Sequence, residues 1–430
     1  MLNSIAQFFK KAIKTPSIRK KLIITGVILI VFRLAAHIPA AGIDRNTLTA
    51  LFLGSPLLSL LDVFSGGTLA NFSVLALGLN PYINASIIFQ LLGYIIPSIE
   101  ALQKEGEFGQ EKINQYTRLL TIPLAALQAF GMYALLRGQG IISNLDSLSL
   151  ISLVVTMVAG TVFSVWLGEL ITEYGFKNGV SILIFTGIVA RLPVLLGQSA
   201  NILASTDIIK IIIFLIIAVL VVGLIIFVGE SVRRVAIQYA RKRTGGALAS
   251  ASYLPLRLNQ AGVIPIIFAV SLVLAPSLIG QFLVGSTNPQ AAGIARWMLT
   301  AFSPEGWIYN LTYFLLVFGF TYFYTGIVFN PDKISENLQK GGGFIPGIRP
   351  GKETSKYLSF VLSRITVVGG LFLASVAVMP SLFTNFVGVA NLAVGGTGVL
   401  IVVSVVLEMI REMEGEFAMT HYDRFTQSRN

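Results

Sequence analysis

The stretch GGGFIPGIRPGKETSKYLSFVLSR (341–364) sets glycines, prolines and cations together between two long apolar runs. Glycine-rich loops of this kind can carry phosphate chemistry, because they bring backbone amides close to an anion. A phosphate loop spaced Gly-x4-Gly-Lys-Ser/Thr needs glycine five residues before Gly351 and a hydroxyl after Lys352. Pro346 and Glu353 occupy those positions, and no strand precedes the loop, so nucleotide binding is not expected here.

Other chemistries fail on residue supply. With no cysteine and two histidines, His37 and His421, neither a thiolate site nor a histidine cluster can hold a metal. The six aspartates (Asp44, Asp62, Asp146, Asp207, Asp332, Asp423) lie in loops or at the ends of apolar runs, so paired aspartates for intramembrane proteolysis are missing. His37 has no serine motif beside it and reads as a packed or interfacial residue. The chain is expected to have no catalytic residue, metal or cofactor and no enzymatic activity.

The elements that must position any site are apolar helices. The chain is 430 residues long, 54% hydrophobic and 12% charged, with mean hydropathy +0.79. About a quarter of an average globular chain is charged, so this composition implies one polytopic membrane domain. A helix needs about 20 mainly apolar residues to cross the hydrocarbon. Ten such spans are expected: 22–40, 75–97, 119–137, 148–170, 180–196, 208–229, 261–283, 307–329, 361–383 and 387–408. Residues 1–21 form a basic amphipathic lead-in, and the apolar run behind them has no small-residue cleavage pattern, so the first span is expected to stay in the membrane.

Of the 31 Lys and Arg residues, 24 fall in loops on the side of the N-terminus and three on the other side. This bias places both termini in the cytoplasm and accounts for the net charge of +11 without nucleic acid. Basic loops of a membrane protein serve topology and attract anionic lipid. The loops 230–260 and 330–360 exceed what a connector needs and look built to be touched.

An ion-coupled solute transporter is the main alternative. Such proteins keep ionisable groups near the midplane, whereas here Glu169, Glu173 and Glu408 sit at the ends of spans. Arg33 and Arg191 are exceptions, the second toward the non-cytoplasmic end of the fifth span. Uncharged polar residues are better represented. Asn80 and Asn84 lie one helical turn apart, with Ser86 and Gln90 beyond, and Asn259 with Gln260 begins the seventh span. They are either interhelical glue, at about 1 kcal/mol per bond, or a seam that opens. The run SPLLSLLDVFSGGTLANF (55–72) is too short to cross, so it is expected to re-enter and to line a cavity on the non-cytoplasmic side.

Several stretches carry a resemblance: FSGGTLANFSVLALGLNPYINASIIFQLL (64–92), KEGEFGQEKINQYTR (104–118), WLGELITEYGFKNGVSILIFTGIVA (166–190), LPLRLNQAGVIPIIFA (254–269), FYTGIVFNP (323–331), GGFIPGIRPGKET (342–354) and GGTGVLIVV (395–403). Spread in order along the chain, they resemble the SecY family, the channel subunits of the bacterial protein-export translocon. The resemblance implies an all-α integral membrane protein of ten transmembrane helices in two pseudo-symmetric halves, 1–196 and 197–430, around an hourglass pore. It implies a pore ring of Leu79, Ile83, Val180, Ile184, Ile267 and Ile401, with Leu79 and Val180 replacing the family's usual isoleucine. A plug would cover about 55–67 (Leu57, Leu58, Leu60, Leu61, Val63, Phe64, Gly66, Gly67). A lateral gate would include Asn84, Gln90, Asn259 and Gln260, with the Asn84–Asn259 pair biasing it closed. Arg241, Lys242, Arg243, Arg349 and Lys352 would dock the motor ATPase SecA or the ribosome, although the tip of the 230–260 loop departs from the family pattern. The implied partners are SecE, SecG, signal peptides, precursor proteins and anionic lipids, with no small-molecule substrate, at the bacterial plasma membrane.

Overall fold

The structure, a computed structural model, describes residues 2–40, 62, 65, 67–69, 71–138, 146–203, 208–239, 252–283, 288–303, 306–387 and 393–427. Helix α1 (Leu2–Lys14) leads into α2 (Pro16–Ala35), which opens with proline at its first position, where the fixed φ suits the first helical turn. The chain then turns. Ala40 and Val74 donate backbone hydrogen bonds to Phe72 and Ile38, which straps residues 71–79 across the end of α2. The second expected span therefore becomes helical only at Asn80, because the residues before it are spent on this strap.

Helices α3 (Asn80–Ile95) and α4 (Pro97–Lys104) meet at Ile96, which is extended at φ −105° and ψ 110°. A residue before proline is pushed out of the helical region by the ring, and the two axes bend by 108° there. Next come α5 (Glu107–Gly138), α6 (Ser147–Tyr174), α7 (Gly179–Leu203) and α8 (Ile208–Glu230). The later helices are α9 (Ile264–Leu283), α10 (Pro289–Ala301), α11 (Trp307–Val328), α12 (Pro331–Lys340), α13 (Lys352–Val387) and α14 (Ala393–Gln427).

Each of the ten expected spans coincides with a helix, apart from differences at the ends. By length and apolarity, four stretches among the described residues suffice to cross a membrane: Ser147–Tyr174, Ile264–Gln281, Trp307–Lys340 and Lys352–Met379. The bent pair at Ile96 makes a fifth if counted as one span.

A small sheet adds to the helical picture. Strands β1 (Val232–Tyr239) and β2 (Ser252–Arg257) pair antiparallel with Val235 opposite Leu254. The short β3 (Gly343–Phe344) pairs with the far end of β1, Gln238 opposite Phe344. The described parts of loops 230–260 and 330–360 thus join in one body, with its own core of Val235, Leu256, Phe329, Ile345, Leu358 and Leu362.

The main core runs through the helices. Helix α9 packs on α3 and α5, and α14 packs on α7 and α8. Ionic contacts gather at the end that carries α1. There Arg411 of α14 meets Glu230 at 2.8 Å, and Lys21 of α2 meets Glu412 and Glu416 of α14. Arg118 of α5 and Glu169 of α6 pair at 2.9 Å.

Close backbone approach fixes the strap before α3. A Cβ on Gly160 of α6 would lie 1.9 Å from the Val74 carbonyl oxygen. Gly160→Ala is expected to cost about 1–3 kcal/mol through overpacking, read as a lowered melting temperature of the purified protein in detergent. The same substitution at Gly223, which has open space around it, serves as the neutral control.

Candidate functional site

A cavity of about 390 Å³ lies between α3, α5 and α9. Leu79, Ile83, Ile184 and Ile267, four of the six residues expected to form a ring, line it. Ile401 is fully buried in the adjoining core, and Val180 packs against that core. The cavity's polar lining is limited to Asn80, Asn84, Gln128 and Ser271, and none of its lining residues is ionisable. Its wall is otherwise aliphatic, so a hydrated ion would meet only these four uncharged groups in exchange for its water.

The stretch expected to act as a plug is described at Asp62, Ser65 and from Gly67 onward; Leu57, Leu58, Leu60, Leu61, Val63, Phe64 and Gly66 lie outside the described residues. Its described end is a tight turn. Gly67 donates its amide to the Asp62 carbonyl at 2.8 Å, and Thr68 Oγ1 donates to the Ser65 carbonyl at 2.8 Å. Gly67 has φ +80°, a conformation that favours glycine. Leu69, two residues on, is buried and lines the cavity. Asp62 Oδ2 lies 2.9 Å from Arg191 Nη2 of α7, with the aspartate side chain fully buried and the guanidinium 17% exposed. Breaking a buried pair by removing one partner costs about 3–5 kcal/mol.

Asn84 and Asn259 are not brought together. Asn84 lines the 390 Å³ cavity across from Ser271 and Ala275 of α9. Asn259 turns inward on its own loop, donating to the Gly262 carbonyl at 3.2 Å and accepting the Gly262 amide at 3.0 Å. Asn259 and Gln260 line a second cavity, of about 230 Å³, together with Asn178, Arg257, Glu408 and Arg411. Partial desolvation lowers the pKa of Arg257 there, Arg411 adds to the shift, and Glu230 and Glu408 oppose it. Gln90 donates along its own helix to Ser86 Oγ at 3.1 Å. The seam also holds an aromatic contact that sequence reasoning missed: Tyr94 of α3 and Phe323 of α11, with ring centroids 4.5 Å apart. Two aromatics in separate helices carry no sequence signal of their contact. His37 is exposed and bonds the Arg33 carbonyl through Nδ1 at 2.7 Å.

The basic turn is heavily braced. Arg349 is exposed between Gly347 (φ +82°) and Gly351 (φ +94°), the left-handed conformations that its glycines allow. Thr354 Oγ1 donates to the Arg349 carbonyl at 2.9 Å, Ser335 Oγ donates to the Gly351 carbonyl at 2.6 Å, and Ser355 Oγ bonds Asp332. Ile345 inserts into the small core under the sheet. Lys352 is exposed at the first position of α13, where the positive end of the helix dipole adds to its charge. Arg241, Lys242 and Arg243 lie outside the described residues.

The SecY family model matches residues 73–410. The chain belongs to the SecY family. It is 41% identical to the protein translocase subunit SecY of Streptomyces scabiei, with 97% of this chain and 99% of the relative covered. Its fold is similar to a solved structure of a protein conducting channel, with a TM-score of 0.66 at 21% identity over 93% of this chain and 92% of that one. It is also similar to Sec61 in the canine ribosome-channel complex from the endoplasmic reticulum, with a TM-score of 0.63 at 21% identity over 93% and 92%. The chain is therefore an all-α membrane protein of SecY architecture. The SecY match takes in the cavity-lining isoleucines and the basic turn but starts after the plug stretch.

Thr354→Ala removes the brace under Arg349. A lost hydrogen bond of this kind is worth about 1 kcal/mol, so amides 348–355 are expected to exchange with deuterium roughly fivefold faster, with exchange in α9 unchanged.

Proposed function

We propose that the chain is the protein-conducting channel of a translocon, passing unfolded signal-bearing polypeptides across the membrane and releasing transmembrane segments sideways into lipid. The observation that carries this reading is the mainly aliphatic cavity with no ionisable lining, set on the contact of α9 with α3 and α5 and lined on one side by Leu69. An aliphatic waist offers ions no substitute for hydration and makes no directional bonds, so it deforms around any side chain without gripping it. An ion-coupled transporter needs ionisable groups at such a place, and the lining supplies none.

In this reading the ten expected spans form two halves, 1–196 and 197–430, and the ring is Leu79, Ile83, Val180, Ile184, Ile267 and Ile401. The seam at Asn84 and Ser271 is the lateral exit. An apolar signal helix gains about 0.8 kcal/mol for each methylene it buries there, against a few weak polar contacts. The protein sits in the bacterial plasma membrane with both termini in the cytoplasm, and the joined loops face that side. Arg349 meets a carboxylate of the motor SecA or a phosphate of ribosomal RNA, using the planar fork of its guanidinium. SecE and SecG complete the membrane assembly, and anionic lipids meet the basic loops.

The test is reconstitution with the small membrane partners and SecA in sealed vesicles. ATP is expected to drive a signal-bearing precursor into a protease-protected state; uptake of a small solute instead would favour the transporter. Arg349→Glu is expected to reduce precursor uptake at least tenfold while the protein inserts and folds normally. Ile83→Asn together with Ile267→Asn is expected to wet the waist and raise ion conductance in planar bilayers at least tenfold.

A further inference from the structure

Arg191 is an ionised group within an otherwise apolar helix, and nothing in the conduction of polypeptides requires it. Charges at such positions are costly and mark function, with their partner as the first question. Its partner is Asp62, at 2.9 Å and fully buried. Gly67 packs beside the same side chain, since a Cβ there would lie 3.7 Å from Arg191 Cδ. From Asp62 the chain passes through the hydrogen-bonded turn at Ser65, Gly67 and Thr68 to Leu69, which lines the cavity. One compact unit therefore joins an ion pair on α7 to the wall of the cavity.

We propose that the Asp62–Arg191 ion pair is a latch: it seats Asp62 and the turn at Ser65, Gly67 and Thr68 against α7 and keeps the channel shut until the pair is broken. Arg191 and Asp62 are positioning residues, acting through the turn and not on the translocating chain. The proposal rests on the channel reading above. Its physical content is an asymmetry. A fully buried carboxylate that loses its cation has to leave its seat for water. A guanidinium already 17% exposed can turn outward without moving the turn. Arg191→Gln should therefore release the turn more than Asp62→Asn.

The absence of cysteine from the chain makes a direct test possible. Ser65, buried in the turn, is replaced by Cys, and its labelling by a membrane-impermeant maleimide is timed in the assembled complex. Conductance of the same variants is measured in planar bilayers. Expected results are labelling and conductance both at least tenfold higher for Arg191→Gln, a smaller rise for Asp62→Asn, and closed behaviour retained by Arg191→Lys, which keeps the charge. The double neutral variant should be no more open than Arg191→Gln alone, because the two residues act as one unit. Unchanged labelling in the single variants overturns the latch and leaves the channel reading standing. Equal loosening by Arg191→Lys also overturns it, since shape and not charge would then hold the turn. If labelling rises but conductance stays flat even when residues 57–67 are deleted, the channel reading fails first, and the latch with it.

Discussion

Taking a charge out of water costs several kcal/mol even after the surrounding protein relaxes, and the placement of polar groups here follows from that cost. The cavity between α3, α5 and α9 is walled by aliphatic side chains and four uncharged polar ones. No charged group enters its lining. Lys21 with Glu412 and Glu416, and Arg411 with Glu230, hold α14 to α2 and α8. The same cost explains why Asp62 and Arg191, far apart in the chain, are found in contact: neither is tolerable in an apolar surrounding without the other.

Backbone groups obey a parallel rule, since hydrocarbon offers them no partners. Helices satisfy it within themselves. Where the chain departs from helix, before Asn80, it is strapped by hydrogen bonds to the end of α2 and pressed against the glycine face of α6. Outside the apolar layer the restriction lifts, and there the chain uses a sheet. Three short strands weld two distant loops into one surface that presents Arg349.

Helical content and the location of the apolar spans were legible in the sequence, because each depends on residues close together in the chain. The strands in the 230–260 loop were not anticipated, and the pairing of Gln238 with Phe344 had no local signal: nothing nearby specifies a partner that far along. The ring was expected only through family resemblance, and four of its six residues line the cavity; an isoleucine in a wholly apolar helix looks the same whether it faces lipid or a cavity. Asn84 and Asn259 illustrate the limit of carrying a pairing over from family resemblance. Both were expected at one seam, yet Asn259 satisfies its amide on Gly262, which only the shape of the turn there could reveal. Arg191 could be singled out as anomalous, and the structure was needed to supply Asp62.

Helix α13 begins with the residue after Gly351, at the edge of the basic turn, and continues without a break into the bundle against α11 and α14. From Lys352 to Met379 it is 28 residues long, a rod of about 42 Å at roughly 1.5 Å per residue. A tilt of about 5° imposed at its head sweeps its far end by roughly 4 Å. A load applied at the basic turn would thus reach the interior as leverage, with no chemical signal passing through the helices between.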